Sequence, residues 1–187
     1  MEKKEIRKRC LEARQGLSQE DVARESEAVA HRLRTLPAFE TARVILCYVS
    51  SKDNEVDTHL LIGRLIRDKK RVLVPVAKPK GALVWSELHG LEELAPGRFG
   101  ILEPRAECLR IVEPPQDGVV IVPGIAFSTD CRRIGYGGGY FDRFLATYPG
   151  LSIGLAFDVQ IADDWVSEPH DVPLNFVVTE SRIYSRA

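Results

Sequence analysis

Two unbroken apolar runs, Arg43-Val44-Ile45-Leu46-Cys47-Tyr48-Val49 and Arg71-Val72-Leu73-Val74-Pro75-Val76, limit this chain to few architectures. A strand with one wet face alternates apolar and polar residues, whereas a strand apolar at every position is covered on both faces. Between the two runs, Asp57 or Thr58 opens a helix carrying Leu60, Leu61, Leu65 and Ile66. Such a strand–helix–strand unit closes as a parallel pair with a right-handed crossover. Further strands are predicted over Ala82–Leu88, Val119–Val122, Ser152–Phe157 and Phe176–Thr179, with a helix from about Gly138 to Thr147. Residues 2–16 form a basic first helix, with Ile6, Cys10, Leu11 and Ala13 at near-helical spacing. Ser18 and Asp21 resemble a capping box opening a second helix through Val22, Ala28, Val29 and Leu33, which Pro37 ends. A Pro- and Gly-punctuated connection runs through Leu94–Pro104. The pattern predicts an α/β fold, a three-layer sandwich with a mostly parallel central sheet flanked by helices, as a single domain over residues 1–187.

A chain of 187 residues buries roughly 70% of its unfolded surface, enough for one sizeable core. The formal net charge of −1 provides no global field for nucleic acid or an anionic membrane, so neither is expected as a partner. No apolar stretch approaches the ~20 residues that span a bilayer. The charged start, Met-Glu-Lys-Lys-Glu-Ile-Arg, lacks the apolar core of a secretory signal. Cys10, Cys47, Cys108 and Cys131 show no Cys-x-x-Cys spacing and no neighbouring histidines, which argues against zinc and for reduced thiols in a cytoplasmic protein. Cys131 adjoins an arginine pair that could activate it, but no histidine is near in sequence to act as base.

The segment Arg132-Arg133-Ile134-Gly135-Tyr136-Gly137-Gly138-Gly139-Tyr140-Phe141-Asp142-Arg143 carries the strongest functional signal. It follows Val119–Val122 and leads into a helix. Glycine lets backbone N–H groups approach a phosphate closely, and arginine offers a planar fork of donors suited to phosphate oxygens. The spacing is neither a Walker loop, which requires Gly-Lys-Ser/Thr, nor the dinucleotide Gly-x-Gly-x-x-Gly. Ligands of open α/β sheets bind beyond the carboxyl ends of strands. Ser50–Glu55, the glycine loop and His170–Asn175 are the three connections placed to form such a site.

Arg133 through Asp142 closely resembles the signature of the 5-formyltetrahydrofolate cyclo-ligase (methenyltetrahydrofolate synthetase) family. Shorter segments extend the likeness over nearly the whole chain, in the same order. They are Lys3-Lys4-Glu5-Ile6-Arg7, Tyr48-Val49-Ser50, Glu55-Val56-Asp57-Thr58, Phe99-Gly100-Ile101-Leu102-Glu103-Pro104, Val122-Pro123-Gly124 with Phe127, and His170-Asp171-Val172-Pro173. The resemblance implies a monomeric ligase that uses ATP and magnesium to close 5-formyltetrahydrofolate to 5,10-methenyltetrahydrofolate.

It also implies residue roles. Lys3, Lys4 and Arg7, with Arg133, Ile134, Gly135, Tyr136, Gly137, Gly138, Gly139, Tyr140 and Phe141, match the ATP-binding positions. Arg133 and Tyr140 match catalytic positions, Arg133 stabilising charge on the transferring phosphoryl group. Val49, Ser50 and Glu55, together with Tyr136 through Tyr140, match the folate-facing positions, Glu55 as acceptor for the pterin N–H groups. Asp142 and Asp171 match the Mg2+ contacts, while Asn175 stands where relatives often carry another acid. Phe99 and Ile101 could pack the aromatic part of folate or simply the core. The residues alone leave two alternatives: another ATP-dependent phosphotransferase or ligase, and a non-catalytic phosphate-ligand sensor. Glu55, Arg133, Asp142 and Asp171 together favour an enzyme, since a sensor does not need both carboxylates.

Overall fold

The computed structural model describes residues 2–97, 100–168 and 171–186. The first apolar run forms β1 (Val44–Cys47), which pairs in parallel with β2 (Arg71–Ala77) and with β7 (Val119–Val122). Outward from β7, β10 (Leu151–Leu155) and β11 (Phe176–Val178) continue the parallel set. Direction reverses at both edges. There β12 (Ile183–Ser185) runs antiparallel to β11, while β3 (Leu83–Leu88) runs antiparallel to β2 and carries β6 (Ile111–Val112) outside it. The order across the sheet is β12-β11-β10-β7-β1-β2-β3-β6.

The continuous apolar runs are covered on both sides, as their composition requires. Ile45, Cys47, Val72, Val74, Val119 and Ile121 pack toward one set of helices, and their alternates Leu46, Leu73, Val120 and Val122 pack into a second core. The first core is closed by α2 (Gln19–Leu33), α3 (Pro37–Thr41) and α4 (His59–Arg67). The second is closed by Trp85, Phe127 and Leu145, the last from the short α5 (Tyr140–Leu145). The first helix, α1 (Lys3–Gln15), lies apart, seated by Ile6 and Cys10 on Ile125, Ala126, Ile134, Ala162 and Trp165.

Local chemistry explains the helix ends. Ser18 Oγ accepts the Asp21 N–H at 3.0 Å and starts α2 as the sequence predicts. Pro37 does not end that helix; α2 stops at Leu33, and Pro37 opens α3, where its missing N–H costs nothing. In α4 the buried side chains are Leu61, Ile62 and Leu65, each contributing on the order of 1.5–3 kcal/mol. Those three orient the helix and leave Leu60, the first leucine of the predicted helix, 64% exposed.

Two predicted loops contain strands. The Leu94–Pro104 connection is an antiparallel ribbon of β4 (Leu94–Pro96) and β5 (Leu102–Pro104). Between β7 and the glycines stands a hairpin of β8 (Ala126–Phe127) and β9 (Arg133–Ile134). Arg133 is therefore a strand residue, 6% exposed, rather than part of a flexible loop. The expected helix over Gly138–Thr147 is limited to the six residues of α5, so its dipole is weak and positive charge must come from side chains.

Candidate active site

A cavity of about 380 Å³ opens beyond the carboxyl ends of β1, β2 and β7. Its walls come from Tyr48, Val49, Lys52 and Glu55 after β1, Pro75 and Ala77 of β2, Pro123 after β7, and the loop from Gly135 into α5. The ribbon contributes Ile101 and Glu103, and Glu103 Oε1 accepts the Ala77 N–H at 2.9 Å, fastening the ribbon to β2.

At one end Arg133 and Asp142 set the charge. Arg133 Nη2 donates to Asp142 Oδ1 at 2.7 Å and Nη1 to the Pro123 carbonyl at 3.1 Å, while its buried Nε has no partner among the described residues. Gly137 and Gly139 have φ of 97° and 67°, a region that side-chain-bearing residues rarely adopt. The N–H groups of Gly137, Gly138 and Gly139 donate to no acceptor among the described residues, so three donors remain for an anion. Two further arginines hold the loop by its carbonyls: Arg7 Nε donates to Gly135 at 2.9 Å, and Arg143 Nη2 donates to Gly138. Arg143 also lies over the Tyr140 ring, 5.8 Å from its centroid.

At the other end stands Glu55. Its Oε2 accepts the Ser51 N–H at 3.1 Å, and Tyr136 Oη lies 3.4 Å from Oε1. Burial pushes the Glu55 carboxyl above its ordinary value, against the opposing pull of the Ser51 N–H, Arg14, Lys52 and Tyr136. Burial likewise holds the Tyr136 phenol well above its usual range, so it remains a neutral hydroxyl. Lys52 Nζ lies 4.4 Å above the Tyr136 ring.

The sequence model of the 5-formyltetrahydrofolate cyclo-ligases matches residues 1–180. The chain belongs to the 5-formyltetrahydrofolate cyclo-ligase family. It is 33% identical over 176 residues to the 5-formyltetrahydrofolate cyclo-ligase of Escherichia coli K12, covering 91% of this chain and 96% of that one. Identity to the enzyme of that name from Mycolicibacterium smegmatis is 29% over 187 residues, covering 96% and 94% of the two chains. Its fold superposes on 5,10-methenyltetrahydrofolate synthetase from Aquifex aeolicus with a TM-score of 0.85 at 32% identity, covering 99% of this chain and 93% of that one.

Most of the cyclo-ligase positions expected from the sequence line this one cavity: Val49, Glu55, Arg133, Gly135 through Phe141 and Asp142. Ile134 is the exception in that run; it is buried beneath α1 with Ile6 and Cys10. Ser50 is a departure as well. Its hydroxyl accepts the Thr58 N–H at 3.0 Å and reaches Asp57 and His59 at 3.1 and 3.2 Å, which ties it to the start of α4 rather than to the cavity wall.

Lys3 and Asp171 form a separate cluster. Lys3 Nζ donates to Asp171 Oδ1 at 2.8 Å and to Glu168 at 2.6 Å. Burial works against the Lys3 charge, but the hydrogen bonds to Asp171 and Glu168 outweigh it and raise its pKa. The two expected metal carboxylates are thus each held by a cation, Asp142 by Arg133 and Asp171 by Lys3. Lys4 is exposed on α1. Asn175 Oδ1 accepts the Ser152 N–H at 2.8 Å and the Ser152 hydroxyl at 3.0 Å, so it joins β10 to the start of β11. Phe99 and His170 lie outside the described residues.

Cys131 is buried at φ 66° in the β8–β9 turn, and burial raises its thiol to about 11, which leaves it no nucleophilic part. Sequence reasoning overlooked Lys52 and Glu103 on the cavity wall, Arg143 on the loop and, behind the wall, Arg14. It is 1% exposed in the last turn of α1 and donates to Asp53, Gly124 and Tyr136. Ile6, Cys10 and Arg14 are the three buried residues of that helix, spaced i, i+4, i+8, and a charge continuing an apolar stripe is a readable sign.

Proposed function

We propose that this protein closes 5-formyltetrahydrofolate to 5,10-methenyltetrahydrofolate, with ATP cleaved to ADP and phosphate. The observation that carries this reading is one cavity holding an anion-receiving glycine loop beside Arg133 at one end and an acceptor carboxylate, Glu55, at the other. The first end suits a triphosphate. The second suits the N–H edge of an aminopyrimidinone, which a carboxylate accepts in pairs.

The chemistry needs positioning more than a protein nucleophile. The formyl oxygen is a poor leaving group, so it attacks the γ-phosphorus, the bond to the β-phosphate oxygen breaks, and ADP departs. The formyl carbon becomes an iminium bearing a phosphate ester. N10 attacks that carbon, loses its proton, and the carbon–oxygen bond breaks to release inorganic phosphate. Arg133 stabilises charge on the transferring phosphoryl group, while the N–H groups of residues 137–139 hold its oxygens and Tyr140 borders the meeting point of the two substrates. Val49 and the 136–140 loop orient the folate, and Ile101 gives it an apolar wall.

Magnesium fits this arrangement as a nucleotide-borne ion. Among the described residues no group of three or more His, Cys, Asp or Glu could hold a metal alone. Asp142, a hard carboxylate on the cavity wall, would supply one ligand and ATP oxygens and water the rest, while Asp171, a contact that the family resemblance implies, stands off that wall in the Lys3 cluster. When bound, the ion neutralises charge on the β- and γ-phosphates. Lys3, Lys4 and Arg7 add positive charge from α1.

The test is to mix protein, Mg-ATP and 5-formyltetrahydrofolate and record absorbance in the methenyl-folate band together with ADP release. Stoichiometric appearance of both supports the reading. ADP release without the methenyl product would point instead to another phosphotransferase, and neither product would leave only a binding protein.

A further inference from the structure

Arg14 is too completely used to be a packing accident. Its Nε donates to the Asp53 carbonyl at 2.7 Å, Nη1 to the Gly124 carbonyl at 2.9 Å and Nη2 to Tyr136 Oη at 2.6 Å. These acceptors lie on three separate segments: the loop after β1, the turn after β7 and the glycine loop. One planar group on α1 therefore ties these three segments together behind the Glu55 end of the cavity.

The direction of these bonds has a chemical consequence. A guanidinium has donors and no acceptor, so the Tyr136 oxygen must accept from Arg14. The phenol hydrogen is then left for Asp53 Oδ2 at 3.3 Å or Glu55 Oε1 at 3.4 Å. Glu55 accepts the Ser51 N–H on one oxygen, and on the other it can only accept from Tyr136, so it needs no proton of its own to satisfy a neighbour. Without Arg14 the phenol could turn to accept, and Glu55 would be driven to protonate by its burial. A protonated Glu55 would present a donor to a pterin edge that itself donates.

We propose that Arg14 is a positioning residue that fixes the hydrogen-bond polarity of the Tyr136–Glu55 pair, so that Glu55 faces the substrate as an acceptor only. The proposal rests on the cyclo-ligase reading of the cavity. It assigns Arg14 to selection of the folate ring rather than to phosphoryl transfer.

The groups facing Glu55 bear on any pH effect. They are Arg14 from α1, Lys52 and Asp53 from its own loop, Tyr136 from the glycine loop and Tyr48 from the end of β1. Among them Arg14 and Lys52 favour the ionised carboxylate. Replacing Arg14 by a neutral side chain should therefore move the acid limb of folate binding to higher pH.

The experiment compares wild type, Arg14→Gln, Tyr136→Phe and the double variant. Titration calorimetry gives Kd for 5-formyltetrahydrofolate and, separately, for Mg-ATP, with folate binding repeated across pH and thermal melting as a check on folding. Each single variant should weaken folate binding at least tenfold and Mg-ATP binding less than twofold. The double variant should be no worse than the weaker single one, because the residues act along one chain of bonds. Equal loss of both ligands in either single variant, or losses that multiply in the double variant, would make Arg14 a mere strut and overturn the proposal. If Arg14→Gln does not fold, Tyr136→Phe still decides: folded protein with unchanged folate affinity overturns it. Wild type that binds no folate would sink the cyclo-ligase reading and this proposal with it, a result distinct from any pattern among the variants.

Discussion

Arg133 and Asp142 meet at 2.7 Å with the whole glycine loop strung between them. The pair closes the loop at its base, and both side chains lie on the cavity wall. One contact thus shapes the loop and aims a guanidinium into the site. The Arg133 side chain is only 4% exposed, so water screens it little and Asp142 is the carboxylate that offsets its charge.

Replacing Arg133 by Ala should lower kcat more than it raises the KM for ATP. Removing a charge aimed at the transferring phosphoryl group costs ~2–4 kcal/mol at the transition state, by comparison with lost oxyanion donors. Steady-state kinetics with varied ATP separate the two effects. A change confined to KM would reduce Arg133 to ground-state binding.

Asp142→Asn should raise the magnesium concentration needed for half-maximal rate, and more than Asp171→Asn does. Asp142 lies on the cavity wall, whereas Asp171 is bound up with Lys3 and Glu168. Magnesium titration of each variant gives the order directly, and full activity of wild type in excess EDTA would remove the metal role.

Glu55→Gln should weaken 5-formyltetrahydrofolate binding by ~1–3 kcal/mol, the cost of a donor facing a donor in a buried site. Mg-ATP affinity should hardly change. In wild type the raised carboxyl makes folate affinity fall on acidification from above the ordinary 4.5, as Glu55 takes up a proton. Burial disfavours the ionised form, so Glu55 also lowers fold stability as pH rises from 4.5 through its folded value. The Gln variant should lack that acid limb in a binding-versus-pH titration.

At the start of α4 the pH dependence runs differently. The hydrogen bond from His59 is the main cause that holds Asp57 down to about 2, and the same bond raises His59 above 6.5, with burial opposing. Asp57 therefore contributes stability present above 3.8 and lost as pH falls through about 2. His59 contributes stability present below 6.5 and lost as pH rises through its raised value. Both side chains are more than a third exposed, so solvent screening keeps the effect small. NMR titration should show the His59 pKa falling in Asp57→Asn; an unmoved value would mean the pair does not form.

Gly139→Ala should destabilise the loop by about 1–2 kcal/mol, since a Cβ is strained at φ 67°. The added methyl would also lie 2.8 Å from Arg143 Nη1 and push that side chain off the Gly138 carbonyl. Loss of melting temperature together with weaker ATP binding is expected. Unchanged ATP affinity would separate the loop's shape from its use.

The five parallel strands were legible because each is an apolar run whose composition allows only two covered faces. β6, β8 and β9 were not, since a two-residue strand has no period to detect. That omission had a cost: Arg133 was read as part of the glycine loop, when the hairpin makes it a buried strand residue. The glycine loop itself was legible from chemistry, because glycines between arginines and a helix start leave few other uses. Ser50 was misplaced because nothing in sequence tells whether a short polar side chain faces a ligand or the nearest helix end. Arg14 was missed because a basic helix suggests a solvated face, although its place in the stripe of Ile6 and Cys10 signalled burial.

The seating of α1 bears on the order in which the polypeptide is made. Lys3 leaves the ribosome 168 positions ahead of its partner Asp171. The surface that receives Ile6 and Cys10 is likewise supplied late, by Ile125, Ala126, Ile134, Ala162 and Trp165. Contacts this distant in sequence form after local ones, since a long loop must close first. A nascent chain can therefore assemble β1, α4 and β2 while its first helix remains undocked. Arg7 and Arg14 reach the glycine loop only after residues 135 and 136 have been made, so a chain interrupted before them carries β1 and β2 and none of the completed site.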